Sequence, residues 1–127
     1  MRLLGHGIDL VPVPRIEKML ADHSERFLER CFTPAEQAYA AESKRRAEHL
    51  AARFAAKEAV LKALGTGLSS GVTWTDIEVT RGDNGAPGVH LSGAALAAAR
   101  SRGITQWLVS LTHTDDHAAA SVIAFAD

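Results

Sequence analysis

The stretch Arg53-Phe54-Ala55-Ala56-Lys57-Glu58-Ala59-Val60-Leu61-Lys62-Ala63-Leu64-Gly65 carries the strongest helical signal in the chain. Alanine and leucine are good helix formers, and no proline or glycine interrupts the run between Ala47 and Leu64. Leu50, Phe54, Leu61 and Leu64 recur at helical spacing, so one helix from about Ala47 to Leu64 is predicted, with Gly65 as its C-terminal stop. We take it as the central helix of the fold.

Upstream, Thr33-Pro34-Ala35-Glu36 supplies an N-cap, a proline at the first helical position and a capping-box glutamate, which predicts a helix from Pro34 to about Ser43. Before it, Pro14 opens a helix carrying Ile16, Met19 and Leu20 on one side, expected to end near His23 and to be followed by the short stretch Arg26 to Arg30. Residues 3 to 11 read as a first strand stopped by Val11-Pro12-Val13-Pro14. Asp9 interrupts its apolar run well short of signal-peptide or membrane-span length.

Downstream, the glycine-rich segment Gly65 to Gly71 precedes β-favouring Ile77 to Thr80. Asp83-Asn84-Gly85 then signals a hairpin returning through Val89-His90-Leu91. Ser92 is positioned to cap a helix ending near Gly103, and strands Trp107 to Leu111 and about Ala119 to Phe125 close the chain. Hairpin signals outnumber crossover units. The expected fold is therefore α+β, a single domain over residues 1–127 with a mainly antiparallel sheet packed against the long central helix.

A formal net charge of −1 gives no general attraction to nucleic acid, so any anion site has to be local. The single cysteine, Cys31, excludes an internal disulfide and fits a reducing, cytoplasmic setting, and no cysteine and histidine spacing matches a structural zinc site. Between residues 44 and 62, Lys44, Arg45, Arg46, Arg53, Lys57 and Lys62 face only Glu48 and Glu58, a basic region suited to an acidic partner or a polyphosphate.

Spacing of i,i+4 puts Glu58 and Lys62 on neighbouring turns of one helix face, which by itself describes a surface pair worth roughly a few tenths of a kcal/mol. More specific is the ordered set Gly7-Ile8-Asp9, Phe54 to Ala63, and Ser110-Leu111-Thr112-His113-Thr114, together with Arg26 to Glu36. This set resembles the signatures of holo-acyl-carrier-protein synthases, small 4'-phosphopantetheinyl transferases, almost end to end. Thr112 departs from the serine usual before the histidine but keeps the hydroxyl.

The resemblance implies transfer of the 4'-phosphopantetheine arm of coenzyme A to a carrier-protein serine, with Asp9 and Glu58 as ligands of a magnesium ion. Magnesium commonly takes one or two carboxylates plus water and substrate phosphates, so a sparse site suits it. Lys62 resembles the family lysine on the diphosphate, where a cation stabilises developing oxygen charge. Candidates for the serine proton are Glu58, a water held by the ion, and Lys62.

By the same resemblance Gly65, Gly67 and Ser69 shape the nucleotide pocket, although the glycines also fit an ordinary cap and turn. His113 and Thr114 would line the coenzyme site on its 3'-phosphate side. Arg15, Met19 and Arg26 would dock an acyl carrier protein, the small size suggesting fatty-acid synthesis, and the assembly would be a homotrimer with sites between subunits. A non-catalytic coenzyme A or carrier-binding module on the same fold is the alternative; it would be favoured had Asp9, Glu58 or Lys62 been replaced by an apolar residue.

Overall fold

The computed structural model describes residues 1–127. In chain order the elements are β1 (Arg2–Pro12), α1 (Val13–Cys31), α2 (Pro34–Ala41), α3 (Arg46–Leu64), β2 (Ile77–Arg81), β3 (Pro87–Leu91), α4 (Gly93–Ser101), β4 (Gln106–His113) and β5 (His117–Ala126). A single 3-10 turn, Trp74–Asp76, precedes β2. The antiparallel expectation holds, but the strands form two sheets: β1-β5-β4 and the hairpin β2-β3. No helix is long and apolar enough to cross a membrane.

Nearly every residue of α3 from Leu50 to Leu64 is buried, which an all-round apolar and alanine-rich helix requires of its surroundings. Its small side chains let the three-stranded sheet come close. From β5, Ala118, Ala120, Val122 and Ala124 are buried. From β1, Gly5 and Gly7 lie against the helix backbone itself. A Cβ at Gly7 would sit 1.8 Å from the Ala59 carbonyl oxygen, and one at Gly5 would sit 2.5 Å from that of Ala63. Arg102 ties the same contact together by donating to the carbonyls of both Ala63 and Leu4.

Two helix-end readings need correction. α1 does not end near His23: that residue is a break (φ −144°, ψ 36°), after which helix resumes to Cys31. The second half is held by the buried pair Phe27 and Cys31, one turn apart, with Phe27 edge-on to Phe32 at 5.5 Å between centroids. Nor does the Ser92 side chain cap α4. Asp76 does so across the fold, its Oδ2 accepting from the Ala95 amide at 3.2 Å. The helix from Pro34 stops at Ala41, two residues earlier than expected, and its capping box is formed as read, Thr33 and Glu36 each accepting the other's backbone amide.

Replacing Gly7 with alanine should force β1 away from α3 and destabilise the protein by about 1–3 kcal/mol through overpacking. Urea unfolding of Gly7→Ala checks this. An unchanged midpoint would mean that the strand and helix are not in backbone contact.

Candidate active site

The close approach of β1 to α3 brings Asp9 beside the last turns of the helix. Lys62 Nζ donates to Asp9 Oδ1 at 3.1 Å and to the Ile8 carbonyl at 2.9 Å. Glu58 stands one turn earlier on α3 and shares a cleft of about 380 Å³ with Leu61, Lys62, Gly65, Gly67, Leu68 and Trp74. Burial pushes the Glu58 carboxyl up, and the neighbouring Asp9 charge pushes it further, against the pull of Arg15 and Lys62. The three residues singled out in sequence, 49 or more positions apart for Asp9 and the helix pair, thus act on one another in space.

This pair of carboxylates fits a hard divalent cation. Bringing two like charges together at a partly buried site raises the free energy of the charged state, and a cation there reverses the sign of that interaction. Both donors are oxygen, and no cluster of three or more histidine, cysteine or carboxylate side chains forms anywhere in the fold. Such a site lacks the ligands of a zinc centre or an all-protein calcium cage and leaves positions for water and phosphate oxygen, the preference of magnesium.

Gly65 has the left-handed conformation expected of a helix stop (φ 76°) and, with Gly67, borders the cleft. Ser69 does not border it. Its hydroxyl donates to the Thr66 carbonyl at 2.5 Å within the turn, and Leu68 lines the cleft instead.

Lys57, adjacent to Glu58 in sequence, points into the core. It is fully buried, with Nζ 2.7 Å from Glu36 Oε1 and donating to the carbonyls of Trp74 (3.1 Å) and Ile77 (2.5 Å). Burial lowers its pKa and the Glu36 charge opposes the shift. Lys57 therefore does not belong to a basic surface, as its place in the run from Lys44 to Lys62 suggested. Arg53 is likewise buried.

His113 and Thr114 are not among the residues lining the Glu58 cleft. They lie at the β4–β5 turn, where the Thr114 hydroxyl accepts from the amides of Asp116 and His117. His113 Nδ1 is 3.3 Å from Glu48 Oε2, a residue that sequence reading passed over as one of two acids in a basic run. Beside it, the Arg53 and Arg81 guanidinium carbons lie 4.3 and 4.9 Å from the Tyr39 ring centroid, and His49 stacks on that ring at 5.4 Å. Burial lowers the His49 pKa, and Arg53, Arg81 and His113 lower it further. His49 Nδ1 and Arg53 Nε are buried without hydrogen-bond partners. Glu48 Oε2 is likewise buried without a hydrogen-bond partner, so this corner gathers two guanidinium groups and two histidines around a single carboxylate.

On the other side of Trp74, Arg15, Met19 and Arg26 do come together, lining a groove of about 330 Å³ along α1 with His23, Arg30 and Phe54. The Arg15 guanidinium carbon sits 5.6 Å from the Phe54 centroid, so this arginine faces the groove with Met19 instead of pointing elsewhere.

Residues 5–122 match the family model described as the 4'-phosphopantetheinyl transferase superfamily, and the chain belongs to that superfamily of enzymes. Within it, the chain is similar to proteins named holo-[acyl-carrier-protein] synthase. The relative from Koribacter versatilis (strain Ellin345) is 46% identical over 121 residues, covering 95% of this chain and 97% of the relative. That from Desulforudis audaxviator (strain MP104C) is 50% identical over 122 residues, covering 96% and 92%. Among solved structures, the Neisseria meningitidis synthase superposes with a TM-score of 0.87 at 31% identity, covering 97% of this chain and 98% of that one. The Helicobacter pylori synthase in complex with coenzyme A gives 0.83 at 30% identity, covering 94% and 99%.

Because the charged form of Glu58 is disfavoured in the folded state, Glu58→Gln should raise the Tm of metal-free protein at neutral pH by about 1–3 °C, a small effect because the carboxylate keeps contact with water. The sign follows from linkage. A carboxyl raised on folding costs stability above its folded pKa and nothing below its unfolded one, so the gain should vanish in acid. Scanning calorimetry at neutral and acidic pH checks both. A lower Tm for Glu58→Gln at neutral pH would mean that Glu58 is a stabilising ion-pair partner.

Proposed function

We infer that this chain transfers the 4'-phosphopantetheine group of coenzyme A to a serine hydroxyl of an apo-acyl carrier protein. The products are the holo-carrier protein and adenosine 3',5'-bisphosphate. The observation that carries this reading is that Asp9 meets Lys62 and acts on Glu58, while Glu58 and Lys62 line a cleft that shares Trp74 with the groove of α1. The names of the relatives and the coenzyme A complex of the Helicobacter pylori synthase support it.

In this reading Asp9 and Glu58 hold magnesium. When bound, the ion supplies positive charge to the diphosphate oxygens. Lys62 uses two of its three N–H donors on Asp9 and the Ile8 carbonyl and keeps one for a diphosphate oxygen. As a donor to a carboxylate it serves as a fixed cation and not as the base. Glu58, which lines the cleft, is this chain's own acceptor for the serine proton. Serine oxygen bonds to the β-phosphorus of coenzyme A as the bond from that phosphorus to the bridging oxygen breaks, and the bridging oxygen leaves on the α-phosphate of the nucleotide. Gly65 and Gly67 leave the cleft floor free of side chains, while Ser69 shapes its turn from behind.

The carrier protein docks on the groove, where Arg15 and Arg26 meet its acidic helix and Met19 gives apolar contact. The electropositive corner around His113, with Thr114 shaping the turn beneath it, takes the 3'-phosphate. As the family resemblance implies, the complete coenzyme site is formed between subunits of a homotrimer, one chain supplying that corner and its neighbour the Glu58 cleft. The outer face of the β1-β5-β4 sheet supports such an assembly, because Ile8, Leu10 and Leu108 are 61%, 63% and 56% exposed there. A cytoplasmic setting fits the one cysteine, Cys31, buried and unpaired.

The test is intact mass of an apo-acyl carrier protein after incubation with this protein, coenzyme A and magnesium. A gain equal to phosphopantetheine is expected, lost with Glu58→Gln, Asp9→Asn or a chelator. Coenzyme A binding with no gain on any carrier would point to a non-catalytic module. Placing a charge on the sheet face, as in Leu108→Glu, should yield monomers by analytical ultracentrifugation and weaken coenzyme A binding at least about tenfold. A monomer with undiminished binding would place the whole coenzyme site within one chain.

A further inference from the structure

Trp74 belongs to two cavities at once. It lines the α1 groove with Arg15, Met19 and Phe54, and it lines the cleft that holds Glu58, Lys62 and Gly67. Its ring stacks on Phe54, with centroids 4.8 Å apart and planes inclined by 29°. The two cavities are therefore neighbours, and the aromatic pair separates them.

The partition is anchored from both ends. Behind it, buried Lys57 donates to the Trp74 carbonyl at 3.1 Å. Two residues on, the Asp76 carboxylate accepts from the Thr73 amide (3.3 Å), the Thr73 hydroxyl (3.1 Å) and the Ala95 amide (3.2 Å). The short 3-10 turn thus cannot shift without breaking a hydrogen bond from buried Lys57 or a helix cap. Rigid aromatic side chains offer contact area at little conformational cost, and fixed walls of this kind set the distance between two reacting molecules.

We propose that the Trp74 indole is a positioning residue that touches both substrates, meeting the pantetheine arm on the Glu58 side and the acceptor-bearing segment of the carrier on the groove side. This rests on the transferase reading. It adds that one side chain aligns donor and acceptor, so that its loss lowers turnover even when both substrates are saturating.

The chain has two tryptophans, so Trp107→Phe leaves Trp74 as the only one. In that background, Trp74 emission should change on adding coenzyme A with magnesium alone, and again on adding apo-acyl carrier protein alone. Trp74→Ala should lower kcat at least about tenfold with both substrates saturating, and Trp74→Phe should restore it to within about threefold. A purely structural tryptophan would lower Tm and the yield of folded enzyme but leave kcat per active site unchanged and its emission unresponsive. Emission that responds to only one substrate, or an unchanged kcat for Trp74→Ala, overturns the proposal. Should Trp74→Ala not fold, the emission measurements and Trp74→Leu decide. If the Trp107→Phe enzyme adds no phosphopantetheine mass to a carrier, the transferase reading fails and this proposal with it. If it does add that mass while Trp74 stays silent, only the proposal fails.

Discussion

Two glycines of β1 press against the carbonyl row of α3 at a separation that no side chain permits, and the arrangement of Asp9, Glu58 and Lys62 depends on that contact. Asp9 comes from a strand near the N-terminus and Glu58 and Lys62 from a helix in the middle of the chain. With Gly5 and Gly7 in place the strand lies on the helix backbone, and Asp9 reaches Lys62 without any loop in between. Sites held by a strand and a helix are positioned more accurately than sites on loops. The same contact forces two carboxylates together, an arrangement that works against the charged state of Glu58 and that a divalent cation would relieve.

A second constraint sits behind the site. Burying Lys57 and Glu36 carries a desolvation cost, which close pairing and full hydrogen bonding offset. Glu36 accepts from the Thr33 and Val79 amides, and Lys57 donates to the carbonyls of Trp74, the first residue of the 3-10 turn, and of Ile77 just after it. One ion pair thereby connects α2, α3, β2 and the turn carrying Trp74. The helix that presents Glu58 to the cleft presents the adjacent lysine to the core, since consecutive residues on a helix point about 100° apart. Chemistry and anchoring are thus interleaved along the same few residues.

Much of the fold was legible because its signals are local. The capping box at Thr33 and Glu36, the Asp83-Asn84-Gly85 hairpin and the stop at Gly65 are each specified by a few neighbouring residues, and each forms. The errors arise where a distant partner decides. The break at His23 does not end α1, because Phe27 and Cys31 find a core to pack on. Ser92 is a good cap by type, but the Asp76 carboxylate arrives from another part of the chain and does the capping. A basic run counted along the sequence loses Lys57 and Arg53 to the interior.

By itself the sequence determined the central helix and the antiparallel character of the strands, and the family resemblance carried by its motifs singled out Asp9, Glu58 and Lys62. These rest on short-range propensity and on residue types that chemistry leaves little freedom to exchange. Only the tertiary structure decided that Asp9 meets Lys62, that Glu48 stands against His113, and that Trp74 walls two cavities. Such facts depend on how helix and sheet pack, and packing is fixed by contacts between residues far apart in the chain, for which spacing along the sequence carries no signal.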